Sequence, residues 1–135
     1  HVVTLLEEMP VQETVDGIQE LRDTDLPVGA VIVNMVRTPL LEPAYLELAR
    51  RGELDREELA AGIKEAGIEA TPELISELLW ETAEHARRVA LENAERAELA
   101  ALGRPLYEVP LVVDGVDLGT IYQFAELLRA QWLGE

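Results

Sequence analysis

The sequence predicts an α/β fold in which a thin parallel sheet of about three strands is interrupted by an α-helical insertion. Three observations carry that expectation. The first 36 residues hold two apolar, β-branched runs, over 2–6 and 30–36, with an amphipathic segment between them. Two strands joined by a helix in this way lie parallel, with a right-handed crossover. A long Ala/Leu/Glu-rich stretch without strand signals then follows, and a third apolar run inside "GRPLYEVPLVVDG" precedes a final helical pattern.

Taken in order, Val2-Val3-Thr4-Leu5-Leu6 reads as a buried strand. Pro10 suits a first helical position, and Val11, Val15, Ile18 and Leu21 fall at helical spacing, which predicts a helix over about 10–22. After "DTDLPVG" the chain returns to strand over 30–36, where the run "VIVNMV" reads as buried on both sheet faces and sets a bare carboxamide, Asn34, among apolar neighbours. A short helix over 43–51 stops at Gly52. In the next, Asp55 can cap the backbone with Glu58 three residues on, Leu54 and Leu59 flank that cap as a hydrophobic staple, and Gly67 ends the helix.

Thr71-Pro72-Glu73 opens a longer helix in which Leu74, Ile75, Leu78, Leu79, Ala86, Val89, Ala90, Ala94 and Ala97 keep the helical period. Continuous to Leu102, it spans roughly 45 Å at about 1.5 Å per residue. The last helix starts at Val116 or Asp117 and runs to Leu133. The expected organisation is thus a βαβ part over 1–42, a helical insertion subdomain over 43–102, and a last strand, loop and C-terminal helix over 103–135. Three strands leave unpaired sheet edges, a liability in an isolated domain. With His1 standing where a translated chain has Met and a strand opening at once, the sequence reads as a piece of a longer protein that self-associates when alone.

Composition removes several classes of function. Eleven Lys and Arg against 27 Asp and Glu give a net charge of −16, which repels phosphate backbones and anionic lipid, so nucleic acid is not an expected partner. There is no cysteine, which excludes disulfides, thiolate metal sites and cysteine nucleophiles. No apolar stretch is long enough to span a membrane, and a cytoplasmic location is expected. A Gly-Lys-Ser/Thr phosphate loop is absent, and the one lysine, Lys64, reads as a solvated helix charge. With one serine, Ser76, and two histidines, neither a serine nucleophile with its base nor a metal-binding His pair can be assembled, so no catalytic or metal-ligating residue is assigned. His85, beside Glu81 and Glu84 on the long helix, reads as a solvated helix position.

Open α/β sheets place ligands outside the carboxyl ends of their strands. Glu7-Glu8 and Asn34 both stand at such ends. The two acids read first as favourable helix-N-terminal charges. For Asn34 two readings stay open: a core amide satisfied by the fold, or an amide satisfied by a ligand.

"VVTLLEEMPVQETVDGIQELRDTDLPVGAVIVNMV" resembles a segment of the arsenite-pump ATPase (ArsA) family and of its relative, the tail-anchored-protein targeting ATPase. In that segment a strand ends in Glu, a helix begins with Glu-Thr and the next strand ends in Val-Asn-Gln. The matching positions are Glu7, Glu13-Thr14 and Val33-Asn34, with Met35 in the place of Gln. "YEVPLVVDGVDLGTIYQFAELL" is similar to the family's C-terminal loop and last helix. The resemblance implies the C-terminal portion of a P-loop NTPase sheet. It implies that Asn34 reads the adenine of ATP and that the loop at Pro110 and Leu111 packs on the base. It implies too that the phosphate loop and the Mg2+ site lie in a part of the parent not present here, so that this chain alone does not hydrolyse ATP. Dimerisation with itself or a sister subunit, and a client protein at the helical insertion, are further implications. That insertion holds neither Met nor Cys, which excludes thiolate-bound arsenite and a Cys-bridged zinc dimer. In "LISELLW" a packed core stripe is the favoured fate over an open groove. The competing expectation is a non-enzymatic, acidic protein-interaction module in which Asn34 is a core residue.

Overall fold

Three parallel strands, β1 (Val2–Thr4), β2 (Val31–Val36) and β3 (Leu106–Pro110), form one sheet in the order β1-β2-β3. They alternate with helices α1 (Glu8–Asp23), α2 (Pro43–Arg51), α3 (Arg56–Glu65), α4 (Pro72–Ala101) and α5 (Leu118–Leu133) in a computed structural model that describes residues 1–113 and 115–134. The chain is therefore α/β with a three-stranded parallel sheet, as its apolar runs predict. Two units are present, one of His1–Thr38 with Glu92–Glu135 and one of Pro39–Leu91.

In the sheet unit, the register sets Val2, Val3 and Thr4 beside Val31, Ile32 and Val33, and sets Val31, Ile32 and Val33 beside Leu106, Tyr107 and Glu108. Val31 and Val33 point to one face and are fully buried in a core with Val11 and Ile18 of α1, Val28 and Leu99 of α4. Ile32 and Asn34, on the other face, are only half-buried, and Met35 is exposed. The expectation that "VIVNMV" is buried on both faces is thus corrected. Helices cover one face of the strand, and the apolar character of Ile32 alone did not reveal that its side stays open.

β2 leaves regular pairing near its end. Val33 pairs with Glu108 and Val36 with Pro110, so Asn34 and Met35 together oppose the single residue Val109. Met35 takes up the extra length in the left-handed region at φ 56°, a conformation that costs a side-chain-bearing residue on the order of 1 kcal/mol. The outer edge of β3 is also not the open edge expected of a thin sheet. The Glu108 N–H donates to Gln131 Oε1 at 2.8 Å, and Gln131 Nε2 donates to the Glu108 carbonyl at 2.8 Å. One carboxamide of α5 thereby takes the place of a neighbouring strand at that residue, while the Glu108 carboxylate pairs with Arg96 of α4.

In the helical unit the caps fall where residue types place them. Asp55 accepts from the N–H groups of Glu57 and Glu58 at 2.7 and 3.1 Å. Thr71 Oγ1 accepts from Leu74 N–H at 3.2 Å. Ile75 and Ala86 are buried, Leu74, Leu78 and Leu79 half-buried, and Trp80 exposed, so most of the "LISELLW" stripe packs inward. Leu41, Tyr45, Leu54, Leu59, Ile63 and Thr82 line a groove of about 310 Å³. His85 has a role the sequence did not suggest, because its Nε2 accepts the Leu40 N–H at 3.2 Å.

On α2, Glu47 receives Arg50 Nε at 3.0 Å and Arg51 Nε at 2.7 Å. Hydrogen bonds from Arg50 and then Arg51 hold its carboxyl down at about 2, against an ordinary 4.5. A depressed carboxylate stabilises the fold above its unfolded-state value, and that contribution fades as pH falls from 4.5 toward 2. An NMR titration of the Glu47 side chain should have its midpoint near 2; a midpoint at the ordinary value would show that the arginines do not hold it.

Candidate functional site

The carboxyl ends of β1 and β2 meet the first turns of α1 and leave two adjoining hollows. The larger, about 350 Å³, is lined by Thr4, Leu5, Pro10, Glu13, Thr14 and Asn34, together with Val2 and Val3. The smaller, about 60 Å³, is lined by Leu5, Leu6, Glu7, Asn34, Arg37, Glu92 and Leu111 among others. Leu5 and Asn34 belong to both. The start of α1 is fastened to β1 by Thr4 Oγ1, which donates to the Pro10 carbonyl at 3.1 Å, while Thr14 Oγ1 donates to the same carbonyl at 2.8 Å from within the helix. These bonds explain why two threonines are buried there, since a sealed hydroxyl needs a partner.

Asn34 sits at the centre of this arrangement. The bulge formed with Met35 turns the end of β2 just where the carboxamide projects. Among the described residues its side chain makes no hydrogen bond, and it is half-buried rather than sealed. An amide with a free donor and a free acceptor at the mouth of a cleft is satisfied by solvent or by a ligand. This geometry does not fit the core-amide reading, which requires internal partners.

The sequence also named Pro110 and Leu111. Leu111 N–H donates to the Val36 carbonyl at 2.9 Å, which holds Leu111 against the end of β2 and brings it into the smaller hollow with Asn34. Pro110 lies elsewhere, lining a separate hollow with Val36, Thr38, Leu106, Glu108, Leu127 and Gln131. Glu7 and Glu13-Thr14 do converge on the site, Glu7 in the smaller hollow and the pair in the larger. Two residues that sequence reasoning did not single out complete it. Arg37 Nη1 lies 3.3 Å from Glu92 Oε1, with the carboxylate side chain 11% exposed and the arginine 49%. No local signal could have joined these two, which are separated by 55 positions, although an arginine one residue past a strand end was visible.

Among the described residues no group of three His, Asp or Glu side chains is placed to hold a metal ion. The site offers one neutral amide, an ion pair, two acids and short apolar walls.

Fold and site together define a class: a parallel α/β sheet with a polar cleft at the carboxyl ends of its strands. No known family pattern matches the sequence. Over 131 residues, 97% of its length, the chain is 44% identical to a putative ATPase of Mycobacterium bovis and, to the same extent, to the ATPase BagA and another putative ATPase of Mycobacterium tuberculosis. The chain spans 38% of the length of these relatives. It is therefore similar to one part of proteins named as ATPases. No helix among the described residues is long and apolar enough to cross a membrane.

Proposed function

We propose that the chain is the base-reading and helical part of an ArsA-like, ATP-hydrolysing protein, acting in the cytoplasm as a homo- or heterodimer. The observation that carries this reading is the unpartnered Asn34 carboxamide at the strand ends, supported by the ATPase names of the relatives. Adenine presents an N–H donor beside a ring-nitrogen acceptor, a pair that one carboxamide matches in full. Guanine presents two acceptors at the same edge, so the amide oxygen faces a lone pair. Leu5 and Leu111 supply apolar surface beside the amide, suited to the face of a base. ATP in this reading binds with its base at Asn34, and the phosphates and Mg2+ are held by residues of the parent outside this chain, which has no phosphate loop of its own. The groove of the helical unit, with Tyr45, Leu54, Leu59 and Ile63, is the place where a client would dock.

The test is Asn34→Ala in the full-length parent. Losing two hydrogen bonds worth about 1 kcal/mol each should weaken ATP binding by about tenfold to thirtyfold. GTP binding should change little, so the preference for ATP shrinks. Unchanged ATP affinity together with an unchanged ATP/GTP ratio would remove Asn34 from the base site.

A further inference from the structure

Glu92 of α4 lines the smaller hollow together with Asn34, and it is the acid there that lies closest to fully sealed. Glu92 is buried, whereas Glu7 at the same hollow is exposed and keeps its own hydration. An ionised carboxylate accepts about four hydrogen bonds. Glu92 receives one, from Arg37 Nη1 to Oε1 at 3.3 Å, and among the described residues its Oε2 receives none. A nearly buried charge needs donors on its remaining lone pairs as well as a counter-ion. Asn34 and Arg37 are the only side chains lining the hollow that can donate, and the rest of the wall is apolar or acidic. At about 60 Å³ the hollow holds about two water molecules, which is room for the amino edge of a base rather than for a whole ring.

We infer that Glu92 is a specificity-determining residue of the base site, whose Oε2 accepts the second N6 hydrogen of adenine, the one that Asn34 leaves free. The inference rests on the reading of Asn34 as the base-reading amide. In that reading the carboxamide takes N7 and one N6 hydrogen, and the other N6 hydrogen points away from N7 without a partner. Arg37 is the positioning residue. Its guanidinium only donates, so it keeps Glu92 ionised, ties down Oε1 and leaves Oε2 as the free acceptor. Guanine and hypoxanthine carry a carbonyl oxygen in place of the amino group, which would meet two acceptors, Asn34 Oδ1 and Glu92 Oε2, in a poorly hydrated space. The pair rejects such bases more firmly than Asn34 does alone. A carboxamide can turn over and present its NH2 to a carbonyl, whereas a carboxylate has no donor to present.

The experiment measures ATP and ITP binding by calorimetry in the full-length parent and in its Glu92→Gln and Asn34→Ala variants. ITP differs from ATP in having a carbonyl where adenine has its amino group. Because Arg37 offers only N–H groups, the single oxygen of the glutamine turns to Arg37 and its NH2 faces the base, where it donates to a carbonyl. Glu92→Gln should therefore lower the preference for ATP over ITP by about tenfold or more. ATP and ITP weakened by the same factor would make Glu92 a structural support and overturn the inference. Asn34→Ala reports separately on the base site. A preference moved by Asn34→Ala but not by Glu92→Gln overturns the role of Glu92 alone, and a preference that neither variant moves overturns the base reading with it. In the unsubstituted parent N6-methyl-ATP gives an answer that needs no variant to fold. With both N6 hydrogens engaged it should bind about tenfold or more weakly than ATP; equal affinities contradict the inference.

Discussion

Replacing Leu99 by alanine should destabilise the chain by about 3 kcal/mol, the middle of the range for a fully buried leucine whose site cannot collapse. Leu99 is completely inaccessible and joins α4 to Val11 and Ile18 of α1 and to Val31 and Val33 of β2. Its loss therefore opens a cavity where two helices meet the sheet. For a chain of this length the midpoint of thermal unfolding should fall by about 10 °C. Leu91, two turns earlier on the same helix and 65% exposed, is the control. Leu91→Ala should change stability by no more than about 0.5 kcal/mol. Similar losses for both would mean that the end of α4 is not packed on the sheet as described.

The second large effect is at the Arg37–Glu92 pair. Glu92 is almost buried and receives Arg37 Nη1 at 3.3 Å. Arg37→Leu removes the cation and leaves a carboxylate in a poorly hydrated hollow, and losing one partner of a buried pair costs several kcal/mol. Arg37 is half exposed, however, so water screens the pair, and a loss of about 2 kcal/mol is expected. Glu92→Leu in the same background should recover most of it, because an apolar side chain has no unmet need for charge. Urea unfolding of both single variants and the double variant isolates the coupling, expected to be about 1 kcal/mol. If the double variant is as unstable as the sum of the singles, the two side chains do not act as a pair.

Much of the fold was legible because it depends on local chemistry. The period of Val11, Val15, Ile18 and Leu21 gives α1, and the β-branched runs give β1 and β2. Short polar side chains give the helix starts: Asp55 caps α3, and Asp117 with Thr120 forms a capping box on α5, where the Thr120 N–H holds the Asp117 carboxyl below its usual range. The illegible features depend on residues distant in sequence. Nothing in β2 alone tells that α1 and Leu99 cover Val31 and Val33 while Ile32 stays half open. Nothing in the even periodicity of α4 marks where it passes from one unit to the other between Leu91 and Glu92. The site divides in the same way. Asn34 stood out as a polar residue in an apolar run and Leu111 was named only through the family resemblance, but Arg37 with Glu92 and the bulge at Met35 arise only when the strands are paired.

The carboxamide of Gln131 on Glu108 also gives association a polarity. A sheet with two free borders recruits subunits at each and grows into a fibre; one with a single free border closes after one recruitment event. Pro110 has no N–H to offer beyond the residue that Gln131 occupies, so the far border of β3 is blunted twice. Recruitment of a further strand is therefore confined to the border of β1, and growth from the β3 side is blocked at Glu108 and Pro110.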